Sequence, residues 1–134
     1  MKISSRGRYA LRVIIDLAEN SNGGYIPLKD IALRQGISQK YIESIMSALS
    51  KAGKVEGVHG KGGGYKLVKD ASEYSVGEIL KVTEGDLAPI TCLEKNAAPC
   101  DRLNECRTRN MWKKLHEIIM DYFENVKLSD LAQK

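Results

Sequence analysis
Residues 27–68 constrain this chain more tightly than any other stretch. Pro27 precedes a short helical pattern over 28–35, with Leu28, Ile31 and Ala32 on one face. Gly36-Ile37 breaks it. Ser38 is then placed as the N-cap of a second helix over about 39–52, in which Ile42, Ile45, Met46 and Leu49 form the apolar side. Gly53 ends that helix, and two short β-prone runs follow, 54–58 and 65–68. They are joined by His59-Gly60-Lys61-Gly62-Gly63-Gly64, a hairpin with a long glycine-rich tip. Two short helices, a tight glycine turn and a hairpin are the order of a winged helix-turn-helix. The predicted fold class is mainly α with a small β-hairpin wing.

The flanks are read the same way. A helix spans 6–20, with Tyr9, Leu11, Val13, Ile14, Leu17 and Ala18 apolar, and turn residues 20–24 end it. Residues 70–74 read as a polar joint, after which Ser75-Val76-Gly77-Glu78 is a capping-box pattern opening a helix to about Glu84. Residues 85–101 carry Pro89 and Pro99 and no periodicity, which predicts a long loop. A long helix is expected over 104–126, with Met111, Leu115, Ile118, Ile119, Tyr122 and Val126 stepping by 4, 3, 1, 3 and 4. Ser129 is expected to cap a last turn containing Leu131. The implied organisation is a winged helix-turn-helix over 1–70, a connecting helix and cysteine-bearing loop over 71–103, and a dimerisation helix with its terminal turn over 104–134.

Composition narrows the function classes. The chain has 134 residues, the length of one domain or a small domain with an appended element. No apolar run approaches the roughly 20 residues of a membrane-spanning helix, and no apolar stretch of a signal peptide follows Met1-Lys2-Ile3-Ser4. A cytoplasmic chain without membrane partners is expected. The three cysteines, an odd number, argue against a disulfide framework. Aromatic residues, at 6%, are too few for a base-stacking platform. The net charge of +4 is unevenly spread: residues 1–69 hold 12 Lys+Arg against 5 Asp+Glu, and residues 70–134 hold 9 against 12. A basic front half is what a polyanion-binding surface needs.

In this fold the second helix of the pair enters the major groove, about 12 Å wide, with its N-terminal residues facing base edges. Those residues are Ser38, Gln39, Lys40, Tyr41, Glu43 and Ser44. Gln39 can pair with adenine, Lys40 can reach guanine or phosphate, and Glu43 can accept from cytosine N4. At the wing, Lys61 among four glycines and the neighbouring His59 suit a minor groove, because glycine lets backbone approach phosphates closely. Lys2, Arg6 and Arg8 add positive charge for phosphate contacts. The apolar stripe of the long helix supplies a reason to form a homodimer and read two half-sites of a double-stranded DNA operator.

Cys92, Cys100 and Cys106 lie in or beside the long loop, with seven residues between the first two and five between the second two. Clustered thiolates are soft donors suited to an iron–sulfur cluster or zinc, and free thiols remain an alternative. The spacing is no zinc-finger pattern. A Cys–His enzyme is poorly supported, because the two histidines are His59 on the wing and His116 in the long helix. No catalytic residues are assigned, and an enzyme is not expected.

Three stretches carry a family likeness: Lys2-Ile3-Ser4-Ser5-Arg6-Gly7-Arg8-Tyr9-Ala10 after Met1, Tyr41-Ile42-Glu43 within the second helix of the pair, and the wing Gly60-Lys61-Gly62-Gly63-Gly64-Tyr65-Lys66-Leu67. With Val76-Gly77-Glu78-Ile79 and Glu84-Gly85, they resemble the bacterial winged-helix regulators of the IscR, NsrR and CymR type, the Rrf-two family. The likeness runs through nearly the whole chain and is nearest the IscR-like, cysteine-triad branch. It implies a homodimeric repressor or activator holding a 2Fe–2S or 4Fe–4S cluster on Cys92, Cys100 and Cys106. Three positions depart from the family pattern. Arg109 stands where IscR-type proteins offer a histidine, Arg8 where NsrR-type proteins can use an aspartate, and His59 where an arginine is frequent on the wing. The fourth ligand is therefore open among Glu105, Asp101, His116, a small thiol and the partner's Glu43. The expected function is transcriptional regulation, as a repressor of cluster-assembly genes that senses cluster status. Nitric-oxide or cysteine-supply sensing on the same scaffold is the alternative, and a zinc or thiol redox or interaction protein is the alternative outside regulation.

Overall fold
The computed structural model describes residues 2–133; Met1 of the N-terminal motif and Lys134 of the last segment lie outside the described residues. Helix α1 (Ser5–Asn20) starts where the Ser4 hydroxyl accepts the Gly7 amide. Helix α2 (Leu28–Gln35) follows Pro27 and ends at Gly36, whose left-handed φ of 65° favours glycine. Helix α3 (Gln39–Lys51) is capped by Ser38, which accepts the Tyr41 amide. Strands β1 (Val55–Val58) and β2 (Gly64–Leu67) pair antiparallel, Val55 opposite Leu67 and Val58 opposite Gly64. The predicted helix pair and wing are therefore present within a residue or two of the expected bounds.

Ile26 widens the wing. It exchanges two backbone hydrogen bonds with Tyr65, at 2.8 and 2.9 Å, and so lays a one-residue third strand along β2. Gly64, at φ 151°, allows this approach: a Cβ there would collide with the Ile26 carbonyl.

One core joins both halves of the chain. Ala10, Val13, Ile14 and Leu17 of α1 meet Ile31 of α2 and Ile42, Ile45, Met46 and Leu49 of α3, and Tyr74, Ile79 and Leu128 close the same cluster. Helix α4 (Val76–Glu84) opens on the predicted capping box, Ser75 accepting the Glu78 amide and Glu78 accepting the Ser75 amide. Val76 and Leu80, on its other face, build a second cluster with Leu87, backed by Ile3, Met120, Phe123 and Val126.

Four expectations are corrected here. The joint at 70–74 is a short 3-10 turn (Ala71–Glu73) leading to Tyr74, which is fully buried. Its hydroxyl donates to the Lys54 carbonyl at 2.6 Å and accepts the Val68 amide at 3.0 Å. The long helix α5 is Arg109–Asn125, five residues shorter at its start than expected, because no side chain caps that end. Ser129 lies inside helix α6 (Leu128–Leu131), and Asp130 organises that start by accepting the Lys127 amide. The apolar stripe of the long helix is split: Met111, Leu115, Ile118 and Tyr122 are exposed, whereas Val126, with Met120 and Phe123, packs inside the chain.

Candidate nucleic-acid interface and cysteine loop
The reading face begins with the burial of its opposite side. Because Ile42, Ile45, Met46 and Leu49 are buried, the 3.6-residue period turns Gln39, Lys40, Glu43 and Ser44 outward, with Ser38 exposed at the cap. On one flank Arg6, Ser38, Lys40, Tyr41 and Ser44 line an open depression of about 350 Å³. On the other, Gln39 and Glu43 share a groove of about 360 Å³ with Val58, His59 and Gly60 of the wing. The structure thus gathers the α3 residues, the wing and one N-terminal arginine on one continuous surface.

Two of the residues expected to contact DNA are engaged inside the chain. Arg6 Nη1 donates to the Ser44 hydroxyl at 2.9 Å and Nη2 to its carbonyl at 3.3 Å, so this guanidinium braces α1 against α3. Tyr41 is half-buried, its ring edge-on to Tyr9 at 5.6 Å, and the Arg12 guanidinium lies 5.4 Å from the Tyr9 ring centroid. Arg8 donates to the Ser5 hydroxyl, while Lys2, Arg8, His59 and Lys61 remain exposed.

Asp16 fixes the angle between the first two helices and was not singled out from the sequence. It is 1% exposed, takes Arg34 Nη2 at 2.7 Å and Nε at 3.0 Å, and accepts Gln35 Nε2 at 2.8 Å. Arg12 reaches the same Gln35 through its side-chain oxygen at 3.2 Å and its carbonyl. The sequence carries no local signal for the pairing, since Asp16 and Arg34 stand 18 positions apart.

The cysteine loop is built more loosely. Asp86 holds its first part, accepting the Ala88 and Lys95 amides at 2.8 Å each. Those amide bonds, Lys95 first, keep the Asp86 carboxyl below the usual carboxylate range. Cys92 sits half-buried in a 3-10 turn (Thr91–Leu93), and Cys100 and Cys106 are exposed; all three are free thiols. Among the described residues no three His, Cys, Asp or Glu side chains converge at metal-binding spacing. Of the other proposed donors, Asp101 and Glu105 are exposed, and Glu105 lies 4.0 Å from Arg102. His116 lines a cavity of about 350 Å³ with Asp86, Leu93 and Lys95, its Nδ1 buried and without a protein partner. The Thr108 hydroxyl, 3.6 Å from Cys106 Sγ, holds that thiol below its usual value, aided by the Thr108 and Arg109 amides. Three free thiols on one exposed loop, one biased toward thiolate, are a donor set that fits a soft metal or an iron–sulfur cluster.

A helix-turn-helix with an outward polar reading helix, a glycine-tipped wing beside it and a basic N-terminal arm defines a winged-helix DNA-binding transcriptional regulator. Comparison with known proteins agrees. A family profile described as "Rrf2: Iron-dependent Transcriptional regulator" matches residues 3–134, and the chain belongs to that family. It is 40% identical over 132 residues to the HTH-type transcriptional regulator IscR of Klebsiella pneumoniae (strain 342), covering 98% of this chain and 80% of that protein. The IscR of Escherichia coli (strain K12 / DH10B) is 39% identical over the same shares. Among solved structures, CymR, the global cysteine regulator of B. subtilis, superposes with a TM-score of 0.78 at 31% identity, over 98% of this chain and 96% of that one. T. potens IscR gives 0.75 at 31% identity, over 98% and 85%. No helix among the described residues is long and apolar enough to cross a membrane.

Proposed function
We propose that this regulator works as a homodimer that reads two operator half-sites through α3 and the wing and responds to iron–sulfur status through Cys92, Cys100 and Cys106, repressing cluster-assembly genes. The observation that carries the reading is the pairing, in one IscR-like chain, of a preformed reading face with a loop that exposes or half-exposes three free thiols. Gln39, Lys40 and Glu43 would meet base edges, with Ser38, Tyr41 and Ser44 at the groove wall. Lys61 and His59 would enter the minor groove, and Lys2, Arg6 and Arg8 would take phosphates. The exposed ladder Met111, Leu115, Ile118 and Tyr122 on α5 would be covered by the same ladder of a second copy, an isologous contact. The cluster, when held by the three thiolates, would supply a redox- and iron-responsive crosslink. Drawing those thiols together would reshape residues 86–108, which are anchored chiefly by Leu87 and Asp86.

The deciding experiment is a visible absorption spectrum with iron and sulfide analysis on protein purified without oxygen. A brown protein absorbing between about 320 and 460 nm, with iron and sulfide in equal amount, is the expected result. A colourless protein holding zinc or no metal would replace cluster sensing by thiol-based sensing. That second reading, a regulator of cysteine supply, has the likeness to CymR in its favour. DNA binding itself is tested by salt: about six phosphate contacts give a log–log slope near −5, and a flat dependence would sink the proposed interface. Lys40→Ala should alter sequence preference, whereas Arg8→Ala should weaken all duplexes alike.

A further inference from the structure
The last residue of α4 makes contacts that the reading above does not use. Glu84 Oε1 accepts the Ser4 amide at 2.6 Å, and Oε2 accepts the Ser4 hydroxyl at 2.9 Å. Ser4 is also the N-cap of α1, so Glu84 grips the residue that starts that helix. Gly7 makes room for the grip: a Cβ there would stand 2.6 Å from Glu84 Oε1 and 3.2 Å from its Cδ. A carboxylate here also faces the positive end of α1, a favourable position.

Both ends of this contact lead somewhere. On one side Gly85, at a positive φ of 75°, turns the chain out of α4 into the cysteine loop. Lys2, Ile3, Glu84, Asp86, Leu87 and Ala88 line one pocket of about 210 Å³, so the N-terminal arm and the root of the loop share a wall. On the other side, within the first turn of α1, Arg6 holds the hydroxyl and carbonyl of Ser44 on the reading face of α3. The path Glu84–Ser4–Arg6–Ser44 runs from the root of the cysteine loop to the reading helix inside a single protomer.

We infer that Glu84 is a positioning residue for DNA binding: it keys the N-terminal turn of α1 to the root of the cysteine loop. The arm bearing Lys2, Arg6 and Arg8, and through Arg6 the face of α3, then follows the conformation of that loop. This rests on the proposed DNA interface and adds an internal route by which the loop reaches it.

The test uses the full chain, its Glu84→Ala and Glu84→Gln variants, and duplexes enriched by the wild type from a random pool. Hydrogen exchange first checks folding through the α3 amides, which should keep their wild-type rates. Amides of residues 4–8 should exchange about tenfold faster in Glu84→Ala, the free-energy equivalent of roughly one lost charged hydrogen bond. DNA affinity should fall about five- to tenfold on every duplex, with a shallower salt slope, because an arm contact is lost rather than a base contact. Glu84→Gln should fall between, since its amide oxygen still accepts the Ser4 amide. Alkylating the three thiols with iodoacetamide should change the affinity of the wild type and leave that of Glu84→Ala unchanged. If the wild type enriches no duplex, the proposed interface fails and this inference with it. If the wild type binds and Glu84→Ala matches it in affinity, salt slope and response to alkylation, the interface stands and the inference alone is overturned.

Discussion

Residues 38–58 and 86–108 are of comparable length and are built on opposite plans. The first stretch buries Ile42, Ile45, Met46, Leu49 and Val55, and its helix is capped at Ser38. The second buries Leu87 alone among its described residues, and its main internal tie is Asp86. The difference separates a surface whose shape is set by a packed core from a loop held by few buried contacts. A packed core has few arrangements, whereas a loop with few buried contacts opens at low cost.

The largest expected break in this comparison comes from the core. Ile45→Ala should cost about 3–4 kcal/mol in urea unfolding, while Cys100→Ser should change stability by less than about 0.5 kcal/mol. Similar midpoint shifts for the two would erase the contrast. Tyr74→Phe comes next, at about 2 kcal/mol, because it leaves the Lys54 carbonyl and the Val68 amide without a partner. Calorimetry that finds the change neutral would show that water replaces the hydroxyl. Ile118→Glu tests the outer face of α5: sedimentation should show half the wild-type mass, with unfolding of the monomer moved by less than about 1 kcal/mol. An unchanged mass would remove this face from the proposed dimer contact.

The smallest effect is a pH dependence. Burial pushes the Glu78 carboxyl up, but hydrogen bonds from Lys54 and the Ser75 amide, with Lys69, outweigh it and hold the group below its ordinary value. A carboxylate depressed in the folded state adds stability that is complete above its unfolded value. That stability is lost as pH falls through the lower folded value, so Glu78→Gln should flatten the acid limb of the stability–pH curve. An unaltered limb would mean that the Lys54 and Lys69 contacts contribute nothing.

Local chemistry was legible in the sequence, and distant pairing was not. Ser38 and Ser75 announced their helices because a hydroxyl cap lies within three residues of its partner. The start of α5 was misplaced because the Thr108 hydroxyl, at its N-cap, turns to Cys106 and caps none of the helix amides, so no capping pattern marks it. Tyr74 read as part of a polar joint, since its hydroxyl finds a carbonyl 20 positions earlier. The period of α5 identified its apolar residues, yet periodicity does not say which side a chain covers for itself. Tyr122 faces out while Phe123 packs inward against α4. Of the candidate site, the α3 face and the wing followed from order and spacing. The link from Glu84 to Ser4, 80 positions apart, depends on packing that no local pattern encodes.

The backbone bridge between Ile26 and Tyr65 bears on protein engineering. An isolated two-stranded ribbon is marginal in water, and this one is steadied by a residue from the connection ahead of α2. The wing is consequently not a portable part. A chimera that exchanges residues 54–68 alone would leave the Ile26 amide and carbonyl facing a mismatched ribbon, and a working graft must carry residues 25–27 with it.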